Sequence, residues 1–296
     1  MNNSLTSSKD RVSSLYAGQL VAVATKHEKE RMLSLPMRAA LGLEVVLPEG
    51  IDTDALGTFT GEVAREGHPR EVAAKKARLG MAKACLSLGI ASEGSFGPHP
   101  HVPFIAGNQE ILVFVDDNLG IEVTEQMLSM DTNFAHCRIS SSEDLPEDFL
   151  HRVCFPSHAL IARPDTSCKP SLIKKGLSSI AELQEAIEGL SALSENGVVR
   201  LETDMRAHVN PTRMRVIRRT AIKLARRLRA HCPECSTPGW GIVDIKQGLP
   251  CRLCRWPTEF ADREIYACPK CDYRRELPRQ DGLKEADPRY CPLCNP

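Results

Sequence analysis

Eight of the chain's 12 cysteines form four Cys-x-x-Cys pairs within its last 65 residues. The pairs are Cys232/Cys235, Cys251/Cys254, Cys268/Cys271 and Cys291/Cys294. Two residues between cysteines let a tight turn direct both thiolates at one ion, and two such turns complete the tetrahedral set that Zn²⁺ prefers. The sequence therefore predicts two zinc ions. Each would be saturated by four thiolates and hence structural rather than catalytic.

The pairs themselves do not show which two of them bind the same ion. The first two pairs are 15 residues apart and the last two are 19 apart, and both gaps match the spacing of zinc ribbons. We therefore expect sequential pairing, in which the first pair joins the second and the third joins the fourth. Interleaved pairing is the alternative arrangement, and disulfides or an iron–sulfur cluster are alternatives to zinc.

The charge of this region does not favour phosphate binding. From residue 231 onward ten Lys and Arg residues balance ten Asp and Glu residues, and each four-thiolate zinc centre adds two negative charges. An acidic surface repels a phosphate backbone. Five aromatic side chains could stack on bases, but we expect them to fill the small core around the ions. They are Trp240, Trp256, Tyr266, Tyr273 and Tyr290.

The whole chain has the composition of an ordinary soluble protein, with 42% hydrophobic and 26% charged residues. Lys plus Arg equals Asp plus Glu at 38 each, so net charge draws it to neither nucleic acid nor membrane. No apolar run reaches the roughly 20 residues that a spanning helix needs, and residues 1–10 lack the apolar segment of a secretion signal. We expect a cytoplasmic protein without membrane association, where paired cysteines bind metal rather than form disulfides.

Helix-like and strand-like segments alternate before the first cysteine pair. Strands are predicted at 19–25, 43–47, 111–115, 121–123, 158–162 and 198–202, and helices from about 27, at 69–86 and at 179–193. Pro36 should kink or end the first helix. The pattern predicts an α/β fold, with a mixed-sheet main domain at 16–230 followed by a small Cys-rich double zinc-ribbon module at 231–296. Residues 1–15 are expected to be a disordered tail.

A strongly basic helix is predicted at 211–230, the end of the main domain. Asn210 and Pro211 supply an N-cap and a first-turn proline. Residues 205–230 contain nine Lys and Arg residues and no acid. The helix either faces phosphates, of a nucleotide or of a nucleic acid, or presents a solvated face whose cations pair with acids elsewhere.

Two segments of the main domain carry residues suited to phosphate chemistry. Thr25, Lys26 and Lys29 follow the first strand at the start of a helix, where backbone N–H groups and the helix dipole favour an anion. Glu93 lies in the glycine-rich segment 89–97, which we interpret as a strand that runs into a turn. A carboxylate at such a place can hold Mg²⁺ or position a water.

Over about residues 19–123 these segments resemble the inosine/xanthosine triphosphate pyrophosphatase family. The resemblance rests on Thr25-x-x-x-Lys29 after the first strand, Lys76-Ala77 on a helix, the Glu93 turn, and a strand hairpin. It implies that Thr25 and Lys29 hold phosphates and that Lys76 faces the triphosphate. It also implies that Glu93 binds Mg²⁺ or acts as a base.

The chain departs from that family at three places. Lys26 and His27 stand near the position of the family's first-loop Asn, and Val72 stands four residues before the helix Lys in place of an Asn. The late His-Arg that reads the base has only an inverted counterpart in Arg206 and His208. By this resemblance those two side chains would touch the sugar or the base.

A second resemblance covers the whole chain. The segments ATKHEKE, GTFTGE, SEGSFGPHP, TDMRAHVNPTRM and the terminal CPLCNP are similar to an uncharacterised bacterial family that is catalogued as a domain of unknown function. This resemblance implies no activity.

Two hypotheses of function follow. The first is an enzyme that hydrolyses a non-canonical nucleoside triphosphate to the monophosphate and pyrophosphate, with Glu93 alone or with Glu62 holding Mg²⁺. The second is a non-enzymatic binder, in which helix 211–230 grips nucleic acid and the zinc module docks a protein partner.

Overall fold

The computed structural model describes residues 13–51, 67–100, 102–167 and 169–296. Glu62 and residues 1–12 of the expected tail lie outside the described residues. Ser13–Tyr16 form a short helix, α1, and the Tyr16 side chain is buried. Residues 13–15 of the expected tail thus belong to this helix, and Tyr16 packs edge-on against Phe114 with ring centroids 5.5 Å apart.

Six helices and twelve strands make up the described chain. The remaining helices are α2 (Glu30–Leu41), α3 (Pro69–Ala84), α4 (Glu147–Arg152), α5 (Ile180–Ser191) and α6 (Pro211–Arg229). The strands are β1 (Leu20–Val23), β2 (Glu44–Val46), β3 (Leu88–His99), β4 (Val102–Asp116), β5 (Ile121–Ser129), β6 (His136–Ile139), β7 (Leu160–Pro164), β8 (Lys174–Leu177), β9 (Val199–Thr203), β10 (Gly241–Gln247), β11 (Ala261–Ala267) and β12 (Arg274–Pro278). None of these helices combines the length and the hydropathy that a membrane crossing requires.

The main domain contains a mixed sheet, as predicted. It has five strands in the order β2-β1-β3-β4-β5. Strand β1 is parallel to both β2 and β3, whereas β3 and β4 are antiparallel. One sheet face packs on α3 through small side chains, with Ala22, Ala91 and Val113 of the strands against Ala73 and Ala77 of the helix. Small residues at this contact let the helix approach the sheet closely.

A second, four-stranded antiparallel sheet has the order β6-β9-β7-β8. Its core includes Leu160 and Leu201 of the strands together with Leu183 and Ile187 of α5. Helix α5 begins with a capping box, in which Ser179 and Glu182 each bind the other's backbone N–H. The sequence predicted β7, α5 and β9 to within two residues.

Two predicted element ends are not observed. Helix α2 does not end at Pro36 but continues through it to Leu41, with Pro36 on its buried face. The segment 89–97 is not a strand that ends in a turn, because β3 continues from Leu88 to His99 and pairs along its length with β4. Glu93 is consequently a buried mid-strand residue opposite Ile111, with 2% of its surface exposed.

Contacts between residues divide the chain into two compact units. Of the described residues, the first contains 13–51, 67–100, 102–118, 124–167 and 169–225, and the second contains 119–123 and 226–296. The second unit carries the eight paired cysteines and a three-stranded antiparallel sheet in the order β10-β11-β12.

Candidate metal centres and a buried charge cluster

The eight paired cysteines form two clusters of four thiols. Within each cluster the sulfur atoms all lie within 4.8 Å of one another. One cluster joins the first pair to the third, and the other joins the second pair to the fourth. The members are Cys232, Cys235, Cys268 and Cys271 in the first cluster, and Cys251, Cys254, Cys291 and Cys294 in the second. The expected sequential pairing is therefore wrong, and the pairs are interleaved.

The register of the β10–β11 hairpin explains the interleaving. Strand β10 leaves the first pair and β11 leads into the third, and Gly241 at the start of β10 pairs with Ala267 at the end of β11. The antiparallel hairpin thus brings the first and third pairs to one end of the sheet. At the other end, Ala286 donates its N–H to the carbonyl of Pro250 at 2.9 Å, which brings the fourth pair beside the second.

The sulfur positions fit a tetrahedral ion. Four thiolates at about 2.3 Å from one ion would lie about 3.8 Å from each other. The sulfur–sulfur distances across the pairs are 3.7 Å for Cys232–Cys271 and 3.9 Å for Cys251–Cys294. Each cluster can therefore hold a metal ion.

The expected aromatic core around the ions is only half present. Trp240 packs on Tyr266 and Tyr273, with ring centroids 5.9 and 5.3 Å away. Trp256 and Tyr290 instead remain 52% and 60% exposed. A module of this size has too little interior to cover every large side chain.

The first unit contains a buried group of five charged side chains, here called the charge cluster. Its members are Lys29, Lys76, Glu93, Glu110 and Arg213, none of which is more than 9% exposed. Lys76 on α3 forms an ion pair and hydrogen bond with the carboxylate of Glu93 on β3. The sequence predicted both residues for one site, and the structure places them in direct contact.

A second ion pair joins β4 to the basic helix. The Nε of Arg213 donates to Glu110 Oε1 at 2.6 Å, and both side chains are fully buried. Arg213 Nη1 also donates to the carbonyl of Met205. Opposite Glu110 lies Gly94, where a Cβ would stand only 2.5 Å from Glu110 Oε1. The glycine is required here because the ion pair occupies the space of a side chain.

Lys29 occupies the edge of β3 that β1 leaves uncovered. Strand β1 ends at Val23, which pairs with Ile90, whereas β3 continues beyond that point. The Nζ of Lys29 donates to Ser92 Oγ at 2.9 Å and to the Ser92 carbonyl at 3.4 Å. Burial, and then the nearby Arg213 guanidinium, lower the pKa of Lys29 to about 8.

Two histidines stack beside the charge cluster. The rings of His27 and His208 lie 5.0 Å apart at 20° to each other. Burial, and then the charge of Lys29, lower the pKa of His27 to about 3, and burial also lowers the pKa of His208. Both imidazoles are therefore neutral near pH 7. This contact brings the loop after β1 together with the segment before α6.

The other candidate residues have separate roles. Thr25 Oγ1 accepts a hydrogen bond from the backbone N–H of His27 at 3.2 Å, and Lys26 is exposed. Arg206 donates to Asp204 Oδ2 at 2.6 Å, and this contact fixes its guanidinium beside the strand end. Among the described residues, the cysteine clusters are the only groups of three or more possible metal ligands.

Sequence reasoning missed three buried polar residues: Asn108, Glu110 and Arg213. A faint signal exists for each. Asn108 and Glu110 fall on the same alternate positions of β4 as the buried Leu112 and Phe114, and Arg213 falls four residues before the buried Ile217 of α6. A polar residue at a core position of a strand or helix is a candidate site residue.

One comparison with known proteins returns a match. A family model described as "Domain of unknown function (DUF6671)" matches residues 76–296. That range includes Lys76, Glu93, Glu110, Arg213 and the eight paired cysteines, whereas Lys29 precedes it. No curated protein matches the chain.

Proposed function

The chain belongs to the DUF6671 family, and from that premise we propose that it is a nucleotide-processing hydrolase whose second unit is held by two structural zinc ions. The substrate is a nucleoside triphosphate of the non-canonical kind, and the products are the monophosphate and pyrophosphate. The reaction takes place at the charge cluster.

The observation that carries this proposal is the convergence of Lys29, Lys76 and Glu93. They come from three separate elements, and all three meet at the Ser92–Glu93 segment of β3. Burying charged groups costs several kcal/mol each, and such groups contribute little net stability even when paired. Buried charges with perturbed pKa values are therefore candidates for a functional site.

Each residue has a role that its position supports. Lys29 and Lys76 offer two ammonium groups to the phosphate oxygens and neutralise the charge that develops there. Glu93 exchanges Lys76 for the attacking water and accepts its proton. The oxygen of that water bonds to the α-phosphorus, the bond from this phosphorus to the bridging oxygen breaks, and pyrophosphate leaves.

Mg²⁺ fits this site as a companion of the substrate. It is usually bound through one or two carboxylates plus substrate phosphates rather than by a full set of protein ligands. Once released from Lys76, Glu93 would offer one carboxylate oxygen to the ion, and the substrate phosphates would complete the coordination. The ion would supply charge neutralisation at the phosphates.

Zinc is the metal that best suits the cysteine clusters. Four thiolates in a tetrahedral arrangement are typical of Zn²⁺ or of iron–sulfur centres. The two sets close around a single ion each and leave no open position, which is the pattern of structural zinc.

The test is pyrophosphate release by the zinc-loaded protein with Mg²⁺, across standard and deaminated nucleoside triphosphates. Glu93→Gln is expected to lower kcat by at least about a hundredfold, because it removes the base. Glu44→Gln is the matched control, since Glu44 is exposed on β2 of the same sheet. A wild-type protein that is folded and zinc-loaded yet releases no pyrophosphate from any nucleotide would overturn the proposal.

A second candidate function, nucleic-acid binding, is favoured by one observation on α6. Four of its arginines are exposed, and none of them pairs with an acid of the described chain. They are Arg218, Arg219, Arg226 and Arg229. At 100° per residue their side chains fall within about 100° of one helix face. This face offers unpaired cations to a phosphate backbone.

Binding to a fluorescent single-stranded oligonucleotide at several salt concentrations tests this candidate. Losing two phosphate contacts in Arg218→Glu/Arg219→Glu should reduce the slope of log K against log salt by about 1.4. Arg274→Glu/Arg275→Glu makes the same charge change on exposed residues of β12. Equal losses in both variants would show only a general charge effect and reject the face.

A further inference from the structure

We propose that Asn108 and Glu110 form a subsite that binds the hydrogen-bonding edge of a nucleobase. This inference rests on the proposed function and specifies how the substrate's base is held. It assigns a recognition role to two β4 residues that lie beside, and not within, the phosphate-binding part of the charge cluster.

The two side chains share one face of β4. Asn108 pairs with Phe96 and Glu110 with Gly94 across the β3–β4 ladder, and residues two apart on a strand point to the same side. Asn108 is 1% exposed and Glu110 is fully buried. Both atoms of the Asn108 amide, and Glu110 Oε2, have no hydrogen-bond partner in the described structure.

Three unsatisfied polar atoms on one buried strand face are costly. A buried donor or acceptor without a partner costs about 1–3 kcal/mol, and most such groups in native proteins are satisfied. The same face of β4 accepts Leu112 and Phe114 two and four residues beyond Glu110, both fully buried. An apolar residue at position 108 would match these buried neighbours and avoid the cost of unsatisfied polar atoms. The presence of an amide there is explained if it hydrogen-bonds a ligand.

The chemistry of these atoms defines the ligand. An amide offers one donor and one acceptor, and the free oxygen of a carboxylate only accepts. The complementary group sets a hydrogen-bond donor beside an acceptor, which is what the edge of a nucleobase presents. The rings of Phe96 and Phe134 stack 6.2 Å apart next to Asn108, and aromatic rings are the usual neighbours of a bound base.

The distance to the phosphate end is also suitable. Lys29 binds Ser92, which pairs with Leu112 on β4. Asn108 is four residues from Leu112, a separation of about 13 Å along the strand. A nucleotide lying along this face of β4 would therefore place its phosphates at Lys29, at the open edge of β3, and its base at Asn108.

The experiment compares two kinds of ligand by calorimetry in Mg²⁺-free buffer, using the full zinc-loaded chain. The ligands are a panel of nucleoside triphosphates, which carry a base, and inorganic tripolyphosphate, which does not. Asn108→Leu should weaken the best-bound nucleotide at least about tenfold, the effect of a lost bidentate contact. Its affinity for tripolyphosphate should change less than about twofold. Gln109→Leu, which alters the next residue on the opposite face, should change neither.

Asn108→Asp keeps the shape of the side chain and provides a second test should the leucine variant fail to fold. Because it removes the amide donor, it should change the order of preference among bases. Unchanged nucleotide affinities in both variants, or a wild-type protein that binds nucleotides no better than tripolyphosphate, would overturn the subsite. Pyrophosphate release is measured in parallel. Base-dependent binding without turnover rejects the hydrolase alone, and turnover without base preference rejects the subsite alone.

Discussion

The cysteine module and the charge cluster are two sites built in opposite ways. In the module, ligands come as pairs with two residues between them, and three of the four knuckles are local turns in which a later backbone N–H binds the carbonyl of the first cysteine. Ser236 and Arg255 make this bond at 2.9 and 3.0 Å, and both adopt a positive φ. In the charge cluster, the ion pairs join separate elements, and they span 17 positions for Lys76 and Glu93 and 103 positions for Arg213 and Glu110.

The two sites also differ in what stabilises them. Bound metal contributes free energy directly to a small module that cannot bury a large core. The charge cluster instead imposes a cost on its unit, because its charges have left water. The cysteine module therefore stabilises its unit, whereas the charge cluster depends on the stability of the rest of the first unit. Variants of the two sites should therefore differ in size and kind of effect.

The largest effect is expected from pairs of cysteine substitutions that reveal which thiols share an ion. Cys232→Ser/Cys268→Ser removes two ligands from one cluster and should leave a protein that binds one zinc. Cys232→Ser/Cys251→Ser removes one ligand from each cluster and should weaken both sites. Each lost structural site removes roughly 10 kcal/mol of metal-binding free energy from the module.

Zinc content of the purified variants, supported by the absorption of the cobalt-substituted protein, gives the measurement. The two variants are matched controls for each other because each removes two thiols. Sequential pairing would reverse the result, with the Cys232/Cys251 variant keeping one intact site. That reversal would contradict the interleaved arrangement.

The next largest effect concerns the ion pair between Arg213 and Glu110. Arg213→Leu leaves a buried carboxylate without its partner and should destabilise the first unit by about 3–5 kcal/mol. Glu110→Leu/Arg213→Leu removes both charges and should recover most of that loss. Urea denaturation of the zinc-loaded protein measures both.

Arg218→Leu provides the control on the same helix. Arg218 lies on the exposed face of α6, so its loss should change stability by no more than about 0.5 kcal/mol. Equal losses for Arg213→Leu and Arg218→Leu would mean that the buried ion pair does not matter to the fold.

The sequence predicts features that depend on neighbouring residues better than contacts between residues far apart in the chain. The eight ligands can be identified because each pair lies within one turn, and α3 and α5 because their caps and apolar faces are local. The pairing of the thiols could not be predicted, since it depends on the register Gly241↔Ala267, which brings together knuckles more than 30 residues apart.

The charge cluster shows the same division. Lys29 and Glu93 were candidates because of their positions near predicted strand ends and Lys76 because of a resemblance, but the local setting assigned to Glu93 was wrong. Glycines near it suggested a turn, whereas Gly94 lies within a strand because the Glu110–Arg213 pair needs its space. No local sequence pattern around Glu110 indicates that the side chain of Arg213, 103 residues away in the chain, packs against it.

The smallest predicted effect is a change in pH dependence at Lys29. Its pKa of about 8 lies below the ordinary value of 10.5, so in the free protein its ammonium loses a proton as pH rises through about 8. Affinity for tripolyphosphate should then fall by up to about tenfold per pH unit between 8 and 10, because binding requires the charged form. The effect on stability has the opposite sign. The unfolded chain binds the extra proton between about 8 and 10.5, so stability gains from this group as pH rises over that range.

Lys29→Arg isolates this effect because a guanidinium keeps its proton throughout the range. The ratio of wild-type to variant affinity cancels the ionisation of the ligand itself, and this ratio should decline above pH 8. Lys75→Arg, an exposed neighbour of Lys76 on α3, should give a ratio that does not change with pH. A flat ratio for Lys29→Arg would show that the buried ammonium does not bind the phosphates. The charge cluster would then have only a structural role, as the cysteine module has.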